Sequence, residues 1–170
     1  MIKLLLIFML LAVIPSLDVK AMGNLPSSVL GETLVGKLAP DYTLESTSGT
    51  SRTLSQLFKG NKTIMIFWAT WCPHCREELA ALKPQLNIIK NKGVQILLIN
   101  VGETKEEAKD YLASHQVPLE SLVDEDNTMA GRYSVIGIPT LYFIDEQGLV
   151  IDIDHDFPLD YDARFKSKQK

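Results

Sequence analysis

The sequence has little cysteine and no excess of basic charge. Only 2 of its 170 residues are cysteine, so the chain cannot build a framework of several disulfides or a four-cysteine zinc site. The formal net charge is -4 at pH 7, which argues against nucleic acid or an anionic lipid surface as a partner. With 46% hydrophobic and 22% charged residues, the composition is that of one ordinary globular domain.

Long hydrophobic runs are also missing. The longest, Leu4–Ile14, is shorter than the roughly 20 apolar residues that a membrane-spanning helix needs. It follows Lys3 and precedes a candidate cleavage site at Val19-Lys20-Ala21, which is the pattern of a secretory signal peptide. We therefore expect residues 1–21 to be a signal peptide or, alternatively, an uncleaved N-terminal anchor. The protein should be exported, periplasmic or otherwise extracytoplasmic, and either soluble or tethered to a membrane only through this leader.

Strands and helices alternate along residues 38–153. The run Thr63–Trp68 is apolar at nearly every position, which is typical of a strand buried on both faces of a sheet. Apolar residues recur every three or four positions over Cys72–Asn91, which predicts one helix, kinked at Pro84. The other predicted elements are a hairpin at Tyr42–Leu44 and from Arg52 onward, a helix at Leu54–Phe58, strands at Val94–Val101 and near Leu122, helices at Thr104–His115 (opened by a capping box with Glu107) and Asn127–Tyr133, and a closing hairpin of Thr140–Ile144 and Leu149–Ile153.

This order of elements predicts an α/β fold with a mixed central sheet, helices on both faces and an N-terminal β-hairpin extension. The folded domain should span residues 38–153, after a lead-in segment at 22–37 that has no sustained periodicity. Residues 154–170 form a polar tail with little apolar surface. We expect this tail to be poorly ordered, or to form a short helix at 160–168 that barely packs.

The two cysteines, Cys72 and Cys75, lie between a predicted strand and the first turn of a predicted helix. A bridge between them closes a loop too short to stabilise the fold by much. A zinc site would need two further ligands from only three histidines. The pair is better explained by redox chemistry. The positive end of the helix dipole favours a thiolate at Cys72, the predicted nucleophile, and Cys75, one turn further on, is the predicted resolving thiol.

The residues between the cysteines, Pro73 and His74, affect the redox character of the pair. Proline suits an early helix position, and a histidine can place positive charge beside the thiolate. This dipeptide should make Cys72 more acidic and the disulfide more oxidising. Of the other histidines, we interpret His115 as a surface residue at the end of a helix and His155 as a solvated residue.

Several stretches of the sequence together resemble the thioredoxin-like proteins of the TlpA/ResA type. Ile66–Leu79 is similar to their active-site segment, and Ala39–Leu44 to their N-terminal segment. Tyr133–Thr140, followed by Phe143–Asp145, is similar to their cis-proline loop and the hairpin after it. The resemblance covers roughly residues 38–153 and implies a thioredoxin-like fold.

The resemblance also implies roles for individual residues. Pro139 would have a cis peptide bond and lie against the cysteine pair, while Ile138 would offer its backbone to a substrate strand. From the residues alone, Pro139 could equally be an ordinary turn proline. Glu78 would assist proton transfer at Cys75, although the residue pattern alone fits a surface acid equally well. The candidate catalytic residues are therefore Cys72, Cys75 and Glu78, and the candidate substrate-binding residues are Trp71, Pro73, His74, Ile138 and Pro139.

The resemblance implies that this protein reduces disulfides in exported proteins, apocytochrome c among them, with electrons from a thiol donor in the membrane. We expect a monomer that needs no cofactor and no metal. The sequence departs from the type in two ways: it has no recognisable final helix, and Pro73-His74 is the dipeptide of strongly oxidising DsbA-type enzymes.

Two alternative functions stay open. The dipeptide favours an oxidase or isomerase of DsbA-like redox character, but the large helical insertion of those enzymes is lacking between Cys75 and Pro139, where two strands and two helices already occupy the chain. The two cysteines could instead bind copper(I), which prefers sulfur ligands.

Overall fold

The computed structural model describes residues 34–166 of the chain. The predicted leader at 1–21 lies outside these residues. None of the helices within 34–166 is long and apolar enough to cross a membrane. The strands are β1 (Thr43–Ser46), β2 (Ser51–Thr53), β3 (Lys62–Trp68), β4 (Val94–Val101), β5 (Ser121–Asp124), β6 (Thr140–Ile144) and β7 (Val150–Asp154), and the helices are α1 (Leu54–Phe58), α2 (Pro73–Leu82), α3 (Leu86–Asn91), α4 (Lys105–Ser114), α5 (Thr128–Arg132) and α6 (Tyr161–Arg164).

The seven strands form one sheet in the order β2-β1-β5-β4-β3-β6-β7. Strands β3, β4 and β5 run parallel to one another, and the other neighbours pair antiparallel. Strand β3 lies between β4 and β6 and is buried at every position except its first, as expected for a strand covered on both faces. The predicted mixed sheet and the N-terminal hairpin of β1 and β2 are confirmed.

The side chains of β3 alternate between two cores, one on each face of the sheet. Ile64, Ile66 and Trp68 belong to the first core, together with buried residues of α2, α3, α4 and α6. Met65 and Phe67 belong to the second core, together with buried residues of α1 and α5. Helices therefore cover both faces, as predicted.

The helical segment after the cysteines differs from the single kinked helix that the sequence predicted. Helix α2 ends at Leu82, a 3-10 turn spans Lys83–Gln85, and α3 begins at Leu86. Pro84 lies in that turn, where it lacks an N–H group and its ring would clash with the carbonyl four residues earlier in a continuous helix. The apolar spacing continues across the break, so the pattern did not reveal it.

Residues 34–39 lie along the edge of the sheet beside β7. The backbone N–H of Gly36 donates to the carbonyl of Val150 (2.8 Å), and the N–H of Val150 donates to the carbonyl of Lys37 (2.9 Å). The N–H of Ala39 donates to Gly148 (2.9 Å). These bonds cover part of an edge that would otherwise present unpaired backbone groups.

The first part of the C-terminal tail packs on the sheet, so the expectation of a helix that barely packs is wrong. Tyr161 and Phe165 are buried in the first core, and the Phe165 ring lies 5.8 Å from the Phe143 ring of β6, centroid to centroid. Phe157 contacts Tyr161 at 5.4 Å. These three tail aromatics recur at intervals of four, a helical spacing that the polar composition of the segment obscured.

Arg164 holds the same segment by charge. Its guanidinium group pairs with the carboxylates of Asp152 and Asp154 at the end of β7, the Asp154 contact being 2.9 Å. The group also lies 5.6 Å from the centre of the Phe143 ring. Two aspartates of β7 therefore help to fix the tail.

This packing predicts that Phe165→Ala destabilises the protein. Phe165 is 8% exposed, and its truncation at the rim of the core should lower the free energy of unfolding by about 2 kcal/mol. Urea denaturation measures the change. The control is Leu159→Ala in the same segment, because Leu159 is 93% exposed and its loss should shift the value by less than about 0.5 kcal/mol. Equal effects of the two variants would contradict the packing.

Candidate active site

The two cysteines lie at the junction of β3 and α2 and are joined by a disulfide, with their Cα atoms 5.3 Å apart. Cys72 is the N-cap residue of α2, and Pro73 occupies the first helical turn. The backbone N–H of Cys75 donates to Cys72 Sγ at 3.2 Å. After reduction, this N–H group and the positive end of the helix dipole would favour a thiolate at Cys72.

The two cysteine residues are both buried and differ slightly in exposure, in the predicted order. Cys72 is 4% exposed and Cys75 is 1% exposed. The attacking thiol must be accessible to the substrate disulfide. The resolving thiol reacts only with the neighbouring cysteine and can be buried. The difference is small, but it fits Cys72 as the attacking sulfur.

The loop before β6 lies directly against the disulfide. The peptide bond between Ile138 and Pro139 is cis, as the resemblance implied. The carbonyl oxygen of Ile138 is 3.5 Å from Cys72 Sγ. Thr140 closes the loop by donating its hydroxyl hydrogen to the carbonyl of Gly137 at 2.6 Å. The structure thus brings Ile138 and Pro139 to the cysteines.

Trp71, Pro73 and His74 form an exposed rim around the disulfide. Trp71 is 65% exposed, so a large apolar surface lies next to the reactive sulfur. Nδ1 of His74 is 3.4 Å from Oε2 of Glu77, one helical turn further along α2. That carboxylate offsets part of the positive charge expected of His74, and the effect of His74 on the thiolate stays a prediction.

Glu78 is half-buried and lies next to the tail, where its Oε1 accepts the backbone N–H of Phe157 at 3.1 Å. Burial raises the pKa of this carboxyl group, and the negative charges of Asp156 and Asp154 raise it further. The Phe157 N–H and His74 act in the opposite direction but do not cancel the increase. Glu78 is therefore unlike a fully solvated surface acid.

Glu103 is a buried carboxylate at this site that the sequence analysis missed. It accepts hydrogen bonds from the backbone N–H of Thr70 (2.8 Å), from the Thr70 hydroxyl and from the side-chain amide of Asn100 (2.7 Å). It thus fixes the residue two positions before Cys72. A signal was present, because Glu103 closely follows β4 and the carboxyl ends of parallel strands meet at one edge of a sheet.

His155 was interpreted as a solvated residue, but its ring contacts the cis-proline loop. Nδ1 is 3.2 Å from the carbonyl oxygen of Pro139 and 3.3 Å from Oγ1 of Thr140. The register of β6 and β7 pairs Leu141 with Asp154, which brings the next residue of the tail alongside Thr140. This contact depends on strand register and has no signal in the local sequence.

His115 lies where the sequence predicted, at the end of α4. Its exposed ring stacks on Tyr111 at 4.0 Å. Within residues 34–166 no three histidine, cysteine or acidic side chains are grouped so as to hold a metal ion.

Replacing Glu103 tests whether it anchors the active-site loop. In Glu103→Gln, the acceptor of the Thr70 N–H and the Asn100 amide loses its charge, and the two hydrogen bonds weaken, so the free energy of unfolding should fall by about 1–2 kcal/mol. Chemical denaturation measures the loss. The control is Glu120→Gln, an exposed carboxylate, which should shift the value by less than about 0.5 kcal/mol. A similar small effect in both variants would contradict the anchoring role.

The raised pKa of Glu78 predicts a pH dependence of stability. The folded chain binds the carboxyl proton of Glu78 more tightly than the unfolded chain does. The stabilisation from this proton is therefore fully present below the ordinary pKa of 4.5. It is lost as the pH rises through the higher pKa of the folded chain. Glu78→Gln mimics the protonated acid, so its stability relative to the wild type should increase between about pH 4 and about pH 8.

Urea unfolding at the two pH values measures this change, and the exposed neighbour Glu77→Gln serves as the matched control. If the free energy of unfolding of Glu78→Gln relative to the wild type stayed constant or decreased as the pH rises, burial would not raise the pKa of Glu78.

Comparisons with known proteins agree with this geometry. The AhpC/TSA family matches residues 35–153. The thiol-disulfide oxidoreductase ResA of Bacillus subtilis (strain 168) is 34% identical over 118 residues, which cover 69% of this chain and 65% of that protein. ResA of Geobacillus kaustophilus (strain HTA426) is 32% identical over 119 residues, 70% of this chain and 68% of that protein. The chain thus spans about two thirds of the length of these relatives.

Solved structures show the same fold. The crystal structure of a putative thiol:disulfide interchange protein DsbE from Chlorobium tepidum superimposes with a TM-score of 0.68 at 28% identity and covers 78% of this chain and 93% of that one. The thioredoxin domain of a thiol-disulfide oxidoreductase from Bacteroides vulgatus gives a TM-score of 0.68 at 24% identity, with coverage of 78% and 96%. The chain therefore belongs to the AhpC/TSA family, as a thioredoxin-fold thiol-disulfide oxidoreductase of the TlpA/ResA and DsbE-like type.

Proposed function

We propose that this protein reduces disulfide bonds in exported proteins outside the cytoplasm. The observation that carries the proposal is the placement of Cys72: its sulfur caps α2, accepts the Cys75 N–H and lies 3.5 Å from the carbonyl oxygen of Ile138. The N-terminal end of α2 can stabilise the thiolate, and the cis-proline loop opposite would offer backbone groups to a substrate strand.

In the first step the reduced protein attacks its substrate. The Cys72 thiolate forms a bond to one sulfur of the substrate disulfide, that disulfide breaks, and the other substrate sulfur leaves as a thiolate. The product is a mixed disulfide at Cys72. The exposed rim of Trp71, Pro73 and His74 would contact the substrate polypeptide, and Ile138 would pair with its backbone.

In the second step Cys75 releases the substrate. Its thiol loses a proton, its sulfur bonds to Cys72 Sγ, and the second substrate sulfur leaves and is protonated. Two electrons and two protons pass in total from the dithiol to the substrate. Cys75 is almost completely buried, so its proton needs a nearby acceptor, and Glu78, one turn further along α2 with a raised pKa, suits that role.

The remaining steps need partners outside this chain. The oxidised protein must receive two electrons before the next cycle, and a membrane thiol donor would supply them. The predicted leader at 1–21 supports export to the periplasm or another extracytoplasmic space, either as a cleaved signal peptide or as an uncleaved membrane anchor. Apocytochrome c is the proposed client, and the protein would act as a monomer.

Pro73-His74 supports an oxidase as a second candidate, since a histidine beside the thiolate would stabilise the reduced protein. Two features weigh against it. Glu77 pairs with His74, and the described chain between Cys75 and Pro139 is occupied by the helices and strands of the core fold. We therefore favour the reductase.

Removing the resolving thiol tests the order of the two steps. Cys75→Ser should halt the reaction at the mixed disulfide, because nothing then displaces the substrate from Cys72. The reduced variant is mixed with a peptide that carries a single disulfide, and intact-mass spectrometry measures the adduct. Cys72→Ser is the matched control and should give little adduct, because the remaining Cys75 lacks the N-cap position that stabilises a thiolate at residue 72. Equal trapping by the two variants, or none by Cys75→Ser, would contradict the proposed order.

A further inference from the structure

A cleft beside the disulfide contains two side chains, His155 and Asp156, that the reaction described above does not use. Its walls are formed by His74, Gly137, Ile138, Pro139, His155 and Asp156. It continues directly from the cis-proline loop, whose Ile138 carbonyl lies 3.5 Å from Cys72 Sγ. When the disulfide of a substrate polypeptide reaches Cys72, the residue adjacent to the substrate's reactive cysteine would therefore lie in this cleft.

The hydrogen bonds of His155 fix which ring nitrogen carries the proton. Nδ1 faces the carbonyl oxygen of Pro139 at 3.2 Å, and a carbonyl can only accept. Its other neighbour, Oγ1 of Thr140 at 3.3 Å, already donates its hydrogen to Gly137 and can offer only a lone pair. Nδ1 must therefore be the protonated nitrogen, which donates to the loop and holds the ring against it.

The second ring nitrogen is consequently an acceptor. In a neutral imidazole with its proton on Nδ1, Nε2 carries a lone pair, and the exposed His155 ring presents it at the wall of the cleft. The neighbouring carboxylate of Asp156 is exposed in the same wall. With the imidazole neutral, both groups accept hydrogen bonds and neither donates one.

The charges around the cleft favour a cation. Glu78 on α2 is close enough to Asp156 and Asp154 to be affected by their negative charge. The basic side chains nearby already have acidic partners: Nδ1 of His74 lies 3.4 Å from Glu77, and Arg164 pairs with Asp152 and Asp154. Asp156 is thus an acidic group in the cleft wall that forms no ion pair with a residue of the described range 34–166.

We propose that His155 and Asp156 determine substrate specificity by binding a lysine or arginine side chain next to the reactive cysteine of the substrate. His155 also holds the cis-proline loop through Nδ1. The inference rests on the proposed reductase function, since the cleft can select a residue only if a polypeptide disulfide docks at Cys72.

The test uses three peptides with the same single disulfide and either lysine, glutamine or glutamate next to the reactive cysteine. The full chain is kept reduced with dithiothreitol, and kcat/KM is measured for each peptide by mass spectrometry. The wild type should prefer the lysine peptide to the glutamate peptide by about tenfold, with the glutamine peptide between them.

Variants separate recognition from loop support. His155→Asn retains an N–H donor near the position of Nδ1 but lacks Nε2, and Asp156→Asn removes the charge. Each should reduce the lysine-to-glutamate preference about threefold, and the double variant should abolish it. His115→Asn, a histidine exposed at the end of α4, is the control and should retain the full preference.

Each outcome decides the inference. Equal kcat/KM for all three peptides with the wild type would overturn it while leaving the reductase function intact. A uniform loss of rate for all peptides in His155→Asn, with the preference unchanged, would mean that His155 only supports the loop, and would also overturn it. Failure of the reduced wild type to act on any of the peptides would refute the proposed function itself.

Discussion

The antiparallel pairing of β3 with β6 is the interaction on which the active site depends. It aligns Phe67 with Thr140, so the chain that leaves β3 toward Cys72 and the chain that enters β6 through Pro139 meet at the same edge of the sheet. Both strands are buried on both faces. A slip of one residue would move each side chain to the opposite core, so the packing of the two cores also fixes the contact between the disulfide and the cis-proline loop.

Strand β4, which pairs with β3 on the side opposite β6, also fixes this edge of the sheet. Strand β4 pairs in parallel with β3 and aligns Trp68 with Asn100. The buried carboxylate of Glu103 then links Asn100 to the backbone of Thr70. The loop that carries the reactive cysteine is thus fixed by a strand pairing on one side and by charge-assisted hydrogen bonds on the other.

The sequence predicted those features that depend on local pattern. The apolar run of β3, the capping box of α4 and the position of Cys72 at a helix start each follow from a few neighbouring residues, and the structure confirms them. Contacts that depend on strand register were missed. Glu103 and His155 reach the site only because β4 and β7 are aligned as they are. The position of Glu103 just after β4 was a signal in the sequence, whereas His155 had none. The packed tail was missed because its three aromatics are dispersed among charged residues.

The direction of electron flow is the central claim, and the reduction potential of the cysteine pair tests it most directly. The chain from Met22 onward would be equilibrated with dithiothreitol or glutathione buffers, and the reduced fraction measured by thiol alkylation. A reductase is expected to have a potential near that of thioredoxin, roughly -270 mV. A value near roughly -120 mV, as in a strong disulfide-forming oxidant, would contradict the account and make the protein an oxidase.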